Sequence, residues 1–148
     1  HMKKRFWTSF VLLLILGAVT ACQPKAANLS AQAAWARPGM AGGNSAAYMI
    51  LQNPLDTADT LLSASSAAAD SVEIHMTSMD ANGTMMMRPA EPVDLPAQSS
   101  VELKPGGLHI MLIGLKNDLV IGGTITVTLQ FEIADPLTLE IPIQEVAK

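Results

Sequence analysis

Apolar and polar residues alternate along most of the chain after residue 34, in short runs separated by glycine, proline and asparagine. Residues 72–77 alternate strictly, and residues 108–113 place three aliphatic side chains on one face and His109 on the other. Both segments therefore predict strands with one face toward a core. Residues 46–51 are apolar throughout, which is typical of a buried strand. Further strands are predicted at residues 61–69, 84–88, 101–103, 124–133 and 137–143.

About eight short strands without a long amphipathic helix predict an all-β fold, an antiparallel β-sandwich. Asp80 to Gly83 has the composition of a hairpin turn between two of these strands. Pro142 places the last strand at a sheet edge, because proline lacks the N–H group that an inner strand needs. Residues 61–69 are ambiguous, since their alanines also permit a helix. Residues 89–96 carry three prolines and predict an irregular connection.

The first 34 residues differ in composition from the rest of the chain. His1 precedes Met2, the expected natural start, and three basic residues then lead into the apolar run 10–19, which is short for a membrane span. Small residues before Cys22 complete the pattern of a bacterial lipoprotein signal. We therefore predict a signal peptide at 1–21, a lipidated Cys22, a flexible tether at 22–34 and one domain at 35–148. The alternative is an ordinary secretory signal with an incidental cysteine.

Charge and cysteine content narrow the possible partners of the chain, which we expect to be extracytoplasmic and lipid-anchored. Residues 22–148 carry six basic and thirteen acidic side chains, a net charge of −7. This charge argues against nucleic acid and against direct binding to an anionic membrane, so the lipid is the expected membrane contact. Cys22 is the only cysteine of the chain. Once it is lipidated, no thiol remains for a disulfide, for catalysis or for metal binding.

Methionine and histidine occur together in two segments of the chain. Residues 74–89 hold five methionines and His75 within sixteen residues. His109 and Met111 are two residues apart, so on a strand both side chains leave the same face, about 7 Å apart at their Cα atoms. We expect the two imidazoles and one or two thioethers to meet at an edge of the sandwich and to bind a metal ion.

The donor types indicate which metal such a site would bind. Thioether sulfur is soft and selects Cu(I), and imidazole also accepts copper. The His-X-Met element holds no carboxylate, which disfavours Ca²⁺ and Mg²⁺, and zinc seldom uses thioethers. No Ser/His/Asp set is recognisable, so we expect a binding protein and not an enzyme. The competing interpretation is that the methionines form core or a sticky patch, with histidines on the surface.

The spacing of these residues resembles the H(M)-X10-M-X21-H-X-M motif of the PCuAC-type periplasmic copper chaperones. Ten residues separate the pair His75-Met76 from Met87, and twenty-one residues separate Met87 from His109. One residue then separates His109 from Met111. The resemblance extends over residues 35–132. The segments that carry it, in chain order, are WARPGM, AAYMIL, HMTSMDANGTMMMRP, VELKPGGLHIMLIGLK and TVTLQFE.

This resemblance implies a cupredoxin-like, immunoglobulin-like Greek-key sandwich that binds one Cu(I) per chain. Its ligands would be His75, Met87, His109 and Met111. It further implies delivery of copper to the CuA subunit of cytochrome c oxidase, with a Sco-type protein as a possible copper acceptor. We also expect the chain to be a monomer.

Several alternatives stay open at this point. Met85 or Met86 could replace Met87 as a ligand, because the three residues are consecutive. The protein could buffer copper without a dedicated acceptor, or it could be a metal-free, immunoglobulin-like interaction module. Cu(II) could bind as well.

Overall fold

A computed structural model of the chain describes residues 28–145. The predicted signal peptide and Cys22 therefore lie outside the described residues. Ten strands and no helix occur between residues 28 and 145, so this part of the chain has no helix that could span a membrane. The strands are β1 (Ser30–Ala36), β2 (Asn44–Asn53), β3 (Asp59–Ser65), β4 (Ala69–Met79), β5 (Met85–Pro89), β6 (Val93–Leu95), β7 (Ser99–Leu103), β8 (Leu108–Leu115), β9 (Thr124–Phe131) and β10 (Leu137–Pro142).

The strands form two antiparallel sheets. The large sheet has the order β1-β2-β8-β4-β5, and β7 also pairs with β2. The small sheet has the order β10-β9-β3-β6. This arrangement confirms the predicted all-β antiparallel sandwich. β10 is the outermost strand of the small sheet among the described residues and pairs with β9, so Pro142 lies on an edge strand as the sequence predicted.

The hydrophobic core lies between the two sheets. On β4 and β8 the apolar set of each alternating pattern points inward, and Ile74, Ile110 and Leu112 are fully buried. Val127 and Ile141 of the small sheet are also fully buried and belong to the same cluster. Because side chains alternate along a strand, the other face of the large sheet is free to carry chemistry.

The ordered domain begins earlier than the sequence predicted. Leu29 is buried, and β1 pairs with β2 from Ser30 onward, so residues 29–34 belong to the sandwich and not to a tether. Their Ala, Ser and Gln content suits a tether, but backbone pairing with β2 orders them. β6 is a second difference, because it lies within the segment predicted to be irregular. The ambiguous residues 61–69 contain no helix, but they do not form one continuous strand: β3 ends at Ser65, residues 66–68 turn, and β4 begins at Ala69.

Asp59 joins β3 to the loop after β9 through backbone hydrogen bonds. Burial acts to raise the pKa of its carboxyl, but donation from backbone N–H groups outweighs burial and holds the pKa below the ordinary value of 3.8. The ionised carboxylate therefore stabilises the fold above pH 3.8, and this contribution is lost as the pH falls through the lower folded-state pKa. The donors are Thr60 N at 2.7 Å, Ala134 N at 2.8 Å and Ile133 N at 3.0 Å.

We expect Asp59→Asn to lower the free energy of unfolding at pH 7 by about 1–3 kcal/mol, because it removes a charged acceptor from these N–H groups. The difference from the parent should shrink as the pH falls below 3.8. Urea unfolding at pH 7 and pH 3 measures both values. Asp94→Asn, an exposed position on β6, is the matched control and should change little at either pH. An equal loss at both pH values would contradict the assignment.

Candidate metal centre

The two histidines of the domain lie side by side on the outer face of the large sheet. β4 and β8 pair antiparallel, and their register places His75 directly opposite His109. The ring centroids are 6.0 Å apart, with the ring planes at 68°. Glu73 and Met111 form the next opposed pair on the same face. The structure therefore brings His75, His109 and Met111 together from two strands that are distant in sequence.

His109 has one ring nitrogen held by the backbone and the other unpartnered. Its Nδ1 lies 3.0 Å from Gly107 O, a carbonyl that can only accept, so Nδ1 carries the hydrogen. Gly107 O also accepts from Thr77 N at 3.1 Å, which anchors it between the strands. Nε2 is then the lone-pair nitrogen, and it is buried without a hydrogen-bond partner. An unsatisfied buried acceptor is costly, so this geometry points to a ligand at Nε2.

His75 shows the same arrangement with its ring nitrogens exchanged. Its Nε2 lies 2.6 Å from Glu73 Oε2, and its Nδ1 is buried without a partner. The carboxylate accepts the Nε2 hydrogen and leaves the lone pair on Nδ1. A ring hydrogen held by a carboxylate or a carbonyl is the usual support of a metal-binding histidine. Glu73 was not predicted as part of the site, although its two-residue spacing from His75 already placed both side chains on one face.

The hairpin methionines divide between the two faces of the sheet. Met87 lies opposite Thr77, and Met85 lies opposite Met79, so these side chains share the face of His75. Met86 lies opposite Ser78 and belongs to the other face. The register therefore favours Met87 and Met85 over Met86 as partners of His75.

An open cavity of about 350 Å³ connects β8, β2 and the hairpin. Four predicted or competing donors line it: His109, Met111, Met87 and Met85. His75 is not among its lining residues, although its ring lies beside that of His109. Thr77 also lines the cavity, and its backbone N–H donates to Gly107 O just before β8. Met87, on the edge strand β5, and His109, on β8, therefore border the same space.

The side chains of Tyr48 and Arg37 also line this cavity, and Trp35 packs against Tyr48. Tyr48 lies 6.4 Å from His109 between ring centroids, and Trp35 lies 4.7 Å from Tyr48. Arg37 donates from Nε to Tyr48 Oη at 2.9 Å, and its guanidinium lies 5.5 Å from the Tyr48 ring. These residues were not predicted as part of the site, because residues 46–51 are apolar throughout and show no alternation that would separate Tyr48 from the core residue Met49. They limit the movement of the His109 ring on that side.

The donors fit a soft metal ion. Between residues 28 and 145, no group of three or more His, Cys, Asp or Glu side chains is placed to hold a metal. Zinc and calcium sites are built from such groups. The outer face instead offers two imidazole nitrogens with thioethers nearby, a neutral set that suits Cu(I).

Comparison with known sequences identifies relatives over most of the domain. A family model described as "LpqE-like: Putative lipoprotein LpqE-like" matches residues 29–143. "Putative lipoprotein Lxx21020" of Leifsonia xyli subsp. xyli (strain CTCB07) is 34% identical over 113 residues, which cover 76% of this chain and 67% of that protein. "Uncharacterized protein RP573" of Rickettsia prowazekii (strain Madrid E) is 34% identical over 102 residues, which cover 66% of this chain and 56% of that protein.

Solved structures with a similar fold are PCuAC domains and a protein of Deinococcus radiodurans. The apo PCuAC domain from PmoF1 superposes with a TM-score of 0.69 at 27% identity, over 83% of this chain and 98% of that domain. The copper-bound PCuAC domain from PmoF2 gives 0.66 at 25% identity, over 83% and 97%. Cu(I)-bound DR1885 of D. radiodurans gives 0.59 at 27% identity, over 78% of each chain. These similarities confirm the resemblance to PCuAC-type domains.

Proposed function

The chain belongs to the LpqE-like family, and from that premise we propose that it is an extracytoplasmic Cu(I)-binding metallochaperone. Cu(I) is its cargo, one ion per chain, and His75, His109, Met87 and Met111 are the ligands. The names of the copper-bound similar structures support the cargo. The lipoprotein description of the family supports a lipid anchor at Cys22 and a place on the outer side of a bacterial membrane.

One observation supports the ligand assignment most strongly. Nδ1 of His75 and Nε2 of His109 are buried and unpartnered, while the other nitrogen of each ring is held by an acceptor. Both lone pairs are therefore open to a ligand that accepts an electron pair, because no hydrogen-bond donor among the described residues reaches them. Met111 adjoins this pair on the same face, and Met87 lines the same cavity as His109.

The proposed ligand set suits a protein that transfers its metal ion to an acceptor. The two thioethers and two neutral imidazoles carry no charge, so the complex keeps the single positive charge of Cu(I). Met87 is 58% exposed and belongs to the edge strand β5. An acceptor can therefore replace Met87 first and then the more buried ligands, without unfolding the sandwich. Transfer by stepwise ligand exchange needs such an accessible first ligand.

Glu73→Ala is expected to lower the affinity for Cu(I) about 10–100-fold, because loss of the carboxylate frees the His75 ring to rotate and change tautomer. Glu73→Gln keeps an oxygen acceptor for the His75 hydrogen and should retain most of the affinity. Competition titration against a chromophoric Cu(I) chelator measures both values. Glu102→Ala, an exposed acidic residue on β7, is the control for loss of charge. Equal affinities of Glu73→Ala and the parent would contradict the positioning role.

Delivery to the CuA centre of cytochrome c oxidase, directly or through a Sco-type protein, is the proposed destination. The Cu(I)-loaded chain should transfer its ion to a purified CuA domain or to a Sco-type protein, as seen in the spectrum of the acceptor. Retention of copper against both acceptors would instead favour buffering. Histidine NMR signals that stay unchanged on addition of Cu(I) would favour a metal-free interaction module and refute the proposal.

A further inference from the structure

Exposed thioethers are concentrated at one end of the domain. Between residues 28 and 145, nine large hydrophobic side chains are exposed, and four of them are methionines of the β4–β5 hairpin. Met79 is 66% exposed and Met85 57%. Neither contributes to the core, and neither is needed for the four-ligand site. Clustered exposed apolar side chains of this kind mark binding sites more often than chance exposure.

The register of the hairpin arranges these thioethers in rows. Met79 lies directly opposite Met85, which places their Cβ atoms about 4.5–5.5 Å apart on one face. Met87, opposite Thr77, forms the next row about 7 Å farther along the strand. His75 follows one row beyond. Two flexible thioethers at this separation can hold one soft ion between them, and the next row offers a third.

The hairpin turn holds the Met79–Met85 pair in place. Asp80 Oδ1 accepts hydrogen bonds from Asn82 N at 2.9 Å and Thr84 N at 2.8 Å. Gly83 adopts a positive φ of 79°, which a residue with a side chain would rarely accept. The two strands are therefore closed directly beyond the pair, so the thioethers do not need to be brought together when an ion binds.

The pair is also continuous with the cavity of the principal site. Met85 lines that cavity together with Met87 and His109. We infer that Met79 and Met85 form a second, weaker Cu(I) site, from which the ion passes to Met87 and on to the histidines. This inference rests on the proposed function, since it assumes Cu(I) as the cargo. Two thioethers without imidazole bind less tightly than the four-ligand set, as a site of entry or exit requires.

The experiment uses Ag(I) as a soft monovalent probe and the chain labelled with ¹³C in its methionine methyl groups. The first equivalent should shift the Met87 and Met111 signals, and further Ag(I) should shift Met79 and Met85. In Met79→Leu, which keeps an apolar side chain of similar size, the second response should be lost and the first unchanged. Met40→Leu removes an exposed methionine outside the hairpin and should behave like the parent.

The outcomes separate this inference from the proposed function. If Met111 responds while Met79 and Met85 stay unmoved at every addition, the second site is refuted and the principal site stands. If none of these signals responds, both proposals fail. A Met40 response as strong as that of Met79, or a second response that persists in Met79→Leu, would also overturn the inference, because binding would then be unspecific.

Discussion

Replacement of His109 by alanine is expected to lower the affinity for Cu(I) by more than about 100-fold. Loss of a residue that only orients a metal ligand already costs about 10–100-fold, and His109 is proposed as a ligand itself. Its Nε2 is one of the two histidine ring nitrogens that are buried and without a hydrogen-bond partner among the described residues. The sandwich should stay folded, since the substitution also removes an unsatisfied acceptor from the interior. Competition titration measures the affinity, and circular dichroism verifies the fold.

Ile113→Ala is the matched control for His109→Ala. Ile113 lies on the same strand and the same face, and is partly buried, but it does not line the cavity. The Ile113→Ala variant should bind Cu(I) with the affinity of the parent. A His109→Ala variant that is folded and binds Cu(I) as tightly as the parent would remove His109 from the ligand set.

Ile110→Ala is expected to lower the free energy of unfolding by about 2–5 kcal/mol, because it leaves a cavity where the two sheets meet. Ile110 is fully buried and lies between His109 and Met111 on the same strand, with its side chain on the core face. Below its lower melting temperature, the variant should bind Cu(I) with the affinity of the parent. Urea unfolding and competition titration on the same sample test the two expectations.

Comparing Ile110→Ala with variants of its two neighbours on β8 tests more directly whether the two faces of this strand have separate roles. One face of the strand should control stability and the other should control copper binding. If Ile110→Ala changed the affinity as much as His109→Ala, the division of the strand into a core face and a site face would be wrong. A loss of stability below 1 kcal/mol would likewise place Ile110 outside the core.

The alternating pattern of β4 and β8 predicted both faces of these strands correctly. Strand alternation is local, so it is recorded in the sequence around each residue. The pairing of His75 with His109 is not local, because it depends on the register between strands that are 34 residues apart. The motif resemblance implied that the two residues meet, and the register of the large sheet shows how they do so.

Other parts of the structure had no sufficient signal in the sequence. Residues 29–34 are ordered by pairing with β2. Their amino-acid composition alone does not indicate that they pair with another strand. β6 has three residues, too few to show a periodicity. Glu73 had a signal in its spacing from His75, but the hydrogen bond that defines its role depends on ring orientation. The sequence predicted Tyr48 within a strand whose residues are all apolar. No alternation therefore indicated that its side chain lies on the site face.

The most direct test of the copper site is X-ray absorption of the chain loaded by titration with Cu(I). The proposed ligands predict one tightly bound Cu(I) per chain, with two nitrogen and two sulfur neighbours. The sulfur contribution should decrease in Met111→Leu and the nitrogen contribution in His109→Ala. A tightly bound copper surrounded by oxygen or nitrogen alone, without sulfur, would contradict the site described for the outer face of this sandwich.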